Sequence, residues 1–423
     1  MKFSYKKTIF VGFAFFLILA FWQAYDAIVP LILENKFNTN KALTGFIMAL
    51  DNVLALFMLP LFGTISDKTK SRFGKRTPYI FIGTIIATVF FFLASIVNTL
   101  FLFVVVLLIV LIAMSIFRSP AVALMPDVVV KPLRSKGNAV INLMGAFGGI
   151  VVLVLGILFK TSEQGKTDFT IYSLAVVGVM LLALVIFLVF VKENKWSKEM
   201  QEEGLKLEEE KVVETSSEKL SKDKFMSLIL ILLSVALWYM GYNAVTSTYS
   251  RYAPAILNKD FNLTLIIAQA AAIVSYIPIG YITSKFGRKK TLLAGVIMLA
   301  AAFFFAIFIR ANVPDFVMYI LFALAGIGWA TISVNSFPMV VELAKGSNIG
   351  KYTGYYYTAS MAAQIITPIL SGVIFEFVGN YYPLFIYATI FVMLSFVTML
   401  FVKHGDSKPQ AKSNILENFD IDD

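Results

Sequence analysis

The stretch that decides the fold reads Gly63-Thr64-Ile65-Ser66-Asp67-Lys68-Thr69-Lys70-Ser71-Arg72-Phe73-Gly74-Lys75-Arg76. It has a partner in Gly280-Tyr281-Ile282-Thr283-Ser284-Lys285-Phe286-Gly287-Arg288-Lys289-Lys290. Both run from Gly through a small polar or acidic residue to Phe-Gly and a basic cluster, and the first carries four extra residues. Each sits between two apolar runs. A second pair follows: Met125-Pro126-Asp127 and Phe337-Pro338-Met339-Val340-Val341-Glu342. A chain that repeats itself this way is built from two similar halves.

Composition says what the halves are made of. The 423 residues are 59% hydrophobic and 15% charged, against about 45–50% and about 25% in a soluble chain. Soluble, disordered, collagenous and nucleic-acid-binding classes are excluded for the chain as a whole. There is no Cys, so disulfides, thiolate metal sites and Cys nucleophiles are excluded. The single His404 follows the last apolar run, which excludes a multi-His metal centre. No cofactor or metal is expected.

The apolar runs number twelve: 8–33, 42–64, 78–97, 101–124, 137–159, 170–191, 225–250, 262–283, 291–310, 315–338, 352–375 and 381–402. About 20 residues cross the hydrocarbon core as helix. Lipid satisfies no backbone polar group, so each span is a helix or the whole is a closed barrel. Runs such as Phe101–Ala113 do not alternate, which selects helices. The first run begins behind Lys2, Lys6 and Lys7 but is too long, and lacks the cleavage pattern, for a signal peptide; a mature helix is expected.

Basic residues orient the chain. With the N-terminus inside, the inner segments hold 29 of the 36 Lys and Arg and the outer segments 7. Both termini are therefore expected in the cytoplasm, and the net charge of +10 records orientation, not a nucleic-acid partner. Residues 192–224 break the apolar pattern with Glu and Lys, placing Trp196 at the interface. The expected domains are a six-helix bundle over 1–191, a charged cytoplasmic linker over 192–224, a second bundle over 225–402 and a disordered tail over 403–423.

Charges inside the spans mark function, because each costs about 2.5–3.5 kcal/mol at mid-bilayer on insertion scales. Asp51 lies about nine residues into its span, roughly 13 Å deep. Asp26 lies nearer the outer end of the first span, either beside Asp51 or at the outer interface. Arg118 sits in the inner half of the fourth span and needs a carboxylate, a carbonyl or a polar ligand, unless it snorkels inward. Alternation of a buried carboxylate between a desolvated site and an Arg neighbour is a coupling switch. The expected cation-coupling residues are Asp51, Asp26 and Arg118.

A polar ligand with one apolar face needs aromatic rings and directed amides. The candidates are Gln23, Asn52, Trp238, Tyr242, Asn243, Trp329, Asn335 and Gln364, with Trp238 the first choice as stacking platform. Asp67, Arg72, Arg76, Asp127 and Glu342 lie at the inner ends and are read as gate residues, the last two pairing with Arg134, Lys136 or Lys345. Packing, interface anchoring and solvated loop charge are the simpler readings of each.

The Gly63…Asp67…Gly74-Lys75-Arg76 loop, with twelve spans and a central linker, resembles the signature loop of the major facilitator superfamily. Asp51-Asn52, the Ser66–Pro78 loop and Arg118-Ser-Pro-Ala-Val-Ala-Leu-Met-Pro126-Asp127 resemble the glycoside–pentoside–hexuronide cation symporters and the sucrose–proton symporter family. The resemblance implies an all-α membrane protein of two six-helix pseudo-repeats that rocks between two access states. It implies import of a sugar or glycoside with H⁺ or Na⁺ through a plasma membrane. A monomer is expected. Arg118 stands where sodium-coupled members carry an Asp, which favours H⁺. Residues alone leave open an exporter or a carrier of another small polar metabolite.

Overall fold

A computed structural model describes residues 4–130, 133–208, 221–343 and 349–406. These residues form helices and connecting turns, with no strand among them. The helices are α1 Tyr5–Leu31, α2 Lys41–Lys68, α3 Thr77–Ile96, α4 Leu100–Val128, α5 Arg134–Leu158, α6 Thr170–Phe190 and α7 Glu193–Glu208. They continue as α8 Lys222–Tyr252, α9 Phe261–Phe286, α10 Arg288–Ala306, α11 Asp315–Glu342, α12 Ile349–Val378 and α13 Pro383–Leu400. All but α7 are long and apolar enough to cross a membrane, so the expected twelve spans are present.

Two compact units emerge. The first holds Met1–Thr39 and Leu50–Val212, the second Asn40–Ala49 and Val213–Asp423. In the first, α1 packs on α5 and α6, and α3 on α4 and α6; in the second, α8 packs on α12 and α13, and α10 on α11 and α13. These pairings correspond under a shift of six spans, as the repeated motifs predict. The first turns of α2 belong to the second unit: the Lys41 N–H donates to Glu376 Oε2 at 2.8 Å.

Local chemistry explains the ends. The Ser4 hydroxyl caps α1 and the Asp260 carboxylate caps α9, accepting from Asn262 N–H at 2.6 Å. Many hydroxyls inside the spans bond back to their own helix, as Thr88 to Thr84 O at 2.9 Å and Ser115 to Leu111 O at 3.0 Å. No water is needed there. α1 and α8 both end in a π-helical turn, Ile32–Lys36 and Ala253–Leu257. Each is followed by a left-handed Asn, Asn38 at φ 52° and Asn258 at φ 54°.

Candidate functional site

In the first unit, α1, α2 and α4 gather the intramembrane charges. Asp26 and Asp51 lie within Coulombic reach of each other, and Asp51 within reach of Arg118. Asp51 Oδ1 accepts from the Asn52 backbone N–H at 2.6 Å and from Asn52 Nδ2 at 2.7 Å. The Arg118 guanidinium lies over the Trp22 ring, 5.7 Å from its centroid, a cation–π contact that holds its planar face. Trp22 meets Tyr25 edge-on at 5.4 Å. Asp26, Asp51, Asn52, Arg118, Trp22 and Gln23 are all half-buried, so each keeps some open surface. The expected coupling trio is thus brought together on three helices, with Asn52 fixing one face of Asp51.

The second unit carries an aromatic patch on α8, α9 and α11. Trp238 stacks on Tyr239 at 3.9 Å, and Tyr242 stacks on Trp329 at 5.7 Å with 17° between planes. Tyr276 meets Trp329 at 6.4 Å. Trp238 is 1% exposed, so in this conformation it offers a ligand no open face; Tyr242 and Trp329 are half-buried and do. Asn335 is fully buried and donates to Thr331 O at 2.8 Å on its own helix. Gln364 reaches Ser360 O at 3.4 Å, and the Asn243 carbonyl accepts from Ser247 at 2.7 Å.

The basic loops form a network in each unit. Arg76, 4% exposed, donates through Nε to Asp127 Oδ2 at 2.8 Å and through Nη2 to Asp67, and Lys75 Nζ reaches Asp127 Oδ1 at 3.0 Å. Glu193, at the start of α7 and 2% exposed, accepts from the N–H groups of Lys75, Arg76 and Thr77 and from the Thr77 hydroxyl, at 2.7–2.9 Å for the shortest contacts. It closes the orphan donors at the start of α3. In the second unit Arg288 Nε donates to Glu342 Oε1 at 2.5 Å, and Asp406 Oδ1 accepts from Lys289 N–H at 2.9 Å at the start of α10. Gly74 (φ 119°) and Gly287 (φ 92°) turn the chain into these helices, and a Cβ at either would collide with the capping carboxylate.

These partners correct several expectations. Asp127 pairs with Arg76 and Lys75, not with Arg134, whose guanidinium instead meets Pro126 O at 3.0 Å at the end of α4. Glu342 pairs with Arg288; Lys345 lies outside the described residues, as does the tail beyond Asp406. Arg72 is exposed and lies over Phe73 at 5.3 Å, outside the ion-pair network. Trp196 is 8% exposed, packed on the first unit beneath Lys7, which also pairs with Glu199. No three His, Asp or Glu side chains come together as a metal-holding group among the described residues.

The family model described as MFS/sugar transport protein matches residues 10–346. The chain belongs to that family. No curated protein sequence matches it. Among solved structures, the chain is similar to the nucleoside transporter NupG, at 14% identity and a TM-score of 0.68, covering 94% of this chain and 100% of that one. It is similar to the inward open conformation of the xylose transporter XylE from E. coli, at 15% identity and a TM-score of 0.67, covering 96% and 98%. It is similar to the peptide transporter POT in complex with sulfate, at 11% identity and a TM-score of 0.70, covering 94% and 93%. At these identities the likeness shows the fold: twelve helices in the transporter arrangement.

Within this family member, sequence reading missed Glu193 and Asp406. Each lies just beyond its repeat, Glu193 after the sixth span and Asp406 after the twelfth. That shared position was the available signal, and the surrounding charges of the linker and tail hid it. Tyr239 and Tyr276, which complete the aromatic patch, were indistinguishable among 18 Tyr and 40 Phe.

Proposed function

We propose that this membrane protein is a secondary transporter that couples import of a sugar or glycoside to H⁺. The observation that carries the reading is Asp51, inside apolar helices and within Coulombic reach of both Asp26 and Arg118. Two carboxylates beside one fixed positive charge leave one negative charge for a cation to neutralise. Arg118 stands where the sodium-coupled families that the chain resembles carry an Asp, which favours a proton over Na⁺. The half-exposed rings of Tyr242 and Trp329 suit the apolar face of a sugar, and Asn243 and Gln364 of the same unit offer amides to its hydroxyls. Trp238 and Asn335 support that surface from behind. Asp67, Arg76, Asp127 and Glu342 act at the basic-loop ends, which the excess of Lys and Arg assigns to the cytoplasm together with both termini. The protein works as a monomer in the plasma membrane without a cofactor.

The test is an uptake screen of mono- and disaccharides in proteoliposomes under an imposed pH or Na⁺ gradient. Uptake driven by the pH gradient is expected, and Asp51→Asn is expected to abolish driven uptake while sparing exchange. Uptake that follows only a Na⁺ gradient overturns the H⁺ reading. A second reading is a carrier of another small polar metabolite, because stacked ring faces such as Tyr242 and Trp329 take a planar heterocycle as readily as a sugar. Nucleosides and small metabolites in the same screen decide between the two.

A further inference from the structure

Tyr25 is fully buried, and its hydroxyl has no hydrogen-bond partner in this conformation. Its ring packs on Phe21 at 6.0 Å and on Trp22 at 5.4 Å, contacts a Phe would make equally well. Burying an unpartnered hydroxyl costs a fold stability, so packing gives no reason for the oxygen. The hydroxyl lies within Coulombic reach of Asp51 and of Asp26. The charged or titratable groups on the helices around it are few. α4 brings Arg118, held over Trp22, and near its end Asp127, which is paired with Arg76 and Lys75. α5 carries only Arg134 and Lys136, in its first turn, and α6 carries only Tyr172. The two carboxylates are therefore the acceptors the hydroxyl can serve.

We infer that Tyr25 is a positioning residue of the Asp26–Asp51 group, its hydroxyl donating to whichever carboxylate is ionised. This rests on the coupling role proposed above for those carboxylates. A phenol is a donor that stays protonated across the physiological range. It distinguishes the charged carboxylate from the protonated one, because only the charged form gains a full charge-assisted hydrogen bond. In the conformation described here the bond is open. It forms when one carboxylate loses its proton and turns towards Oη, so the hydroxyl biases the site towards one proton rather than two or none.

Infrared spectroscopy of the full chain in liposomes tests this without a known substrate. A protonated-carboxyl stretch is expected to titrate with pH and to be lost or halved in Asp26→Asn and in Asp51→Asn. In Tyr25→Phe the band is expected to persist with its midpoint moved by about one pH unit, because a donor to the charged form is gone. Tyr172→Phe removes an equally buried, unpartnered hydroxyl in the same unit and is expected to leave the midpoint in place. A carboxyl band that survives both Asp variants overturns the coupling role itself, and the Tyr25 role with it. A band that depends on the Asp residues but ignores Tyr25→Phe, or responds equally to Tyr172→Phe, overturns the Tyr25 role alone. If Tyr25→Phe does not fold, the unmutated protein still decides: a tyrosine C–O stretch must change across the carboxyl titration, and its constancy overturns the inference.

Discussion

The start of α3 is closed by Glu193, 2% exposed, and the start of α10 by Asp406, which is exposed. Both carboxylates accept from backbone N–H groups just after a left-handed glycine, and both come from beyond the last span of their own unit. The common device is a helix start held by an acid from the end of the repeat. The difference lies in how much charge surrounds it. Arg76 is buried and meets Asp67, Asp127 and Ser66, whereas Arg288 meets Glu342 and Ser284 replaces the second acid, its hydroxyl turned back to Tyr281 O at 2.8 Å. Burial explains the contrast. A desolvated guanidinium needs every donor met, and a half-exposed one is completed by water. The buried loop is the one that α7 accompanies, through Glu193, and through Asn194 donating to Ser71 O and Arg72 O.

The comparison breaks most visibly at Arg76. Arg76→Gln leaves Asp67 and Asp127 facing one another without their shared cation, and is expected to cost about 3 kcal/mol, read as a lower unfolding temperature in detergent. Arg288→Gln, in the more exposed copy, is expected to cost less than half as much in the same assay. Next comes Glu193→Gln, which keeps shape and loses charge. A cost of about 1–2 kcal/mol is expected, with faster amide exchange confined to Lys75–Thr77. Asp406→Ala is expected to cost only about 0.5 kcal/mol, with faster exchange at Lys289; an effect equal to that of Glu193→Gln would erase the distinction between buried and exposed caps. The smallest effect is at Glu199. Its hydrogen bond from Lys7 holds the carboxyl below the usual carboxylate range. A depressed folded value stabilises docking above the ordinary glutamate range and withdraws it as pH falls through the lowered value. Trp196 fluorescence, with the other three of the four Trp replaced by Phe, is expected to step below roughly pH 4. Lys7→Ala should remove the step.

The spans, the linker and the six-span shift between halves were legible because hydropathy and loop charge are properties of single segments. Asp51, Asp26 and Arg118 were legible for a related reason: a charge in an apolar run is conspicuous whatever its partners. What the sequence hid was pairing. Asp127 stands nearer in sequence to Arg134 than to Arg76, yet Arg134 is drawn to the carbonyls ending α4, and Asp127 to the start of α3. Glu193 looked like one more solvated charge in a run of Lys and Glu, because nothing local says that three N–H groups end beside it. The burial of Trp238, stacked on Tyr239, was hidden too. Helical spacing places residues on a common face without saying which of them a neighbouring helix covers.

The π turns that close α1 and α8 carry one residue more per turn than the helices they finish. Such a turn is slack in a wound spring. Relaxing it to α-helical pitch passes one residue along the axis and rotates whatever follows by about 100°. Each turn is succeeded by a left-handed Asn and a short link into the next helix, so the twist is absorbed within a few residues and α2 or α9 need not unwind. The two repeats therefore keep matching joints at matching ends, where a helix can turn about its own axis while its hydrogen-bond count stays nearly constant.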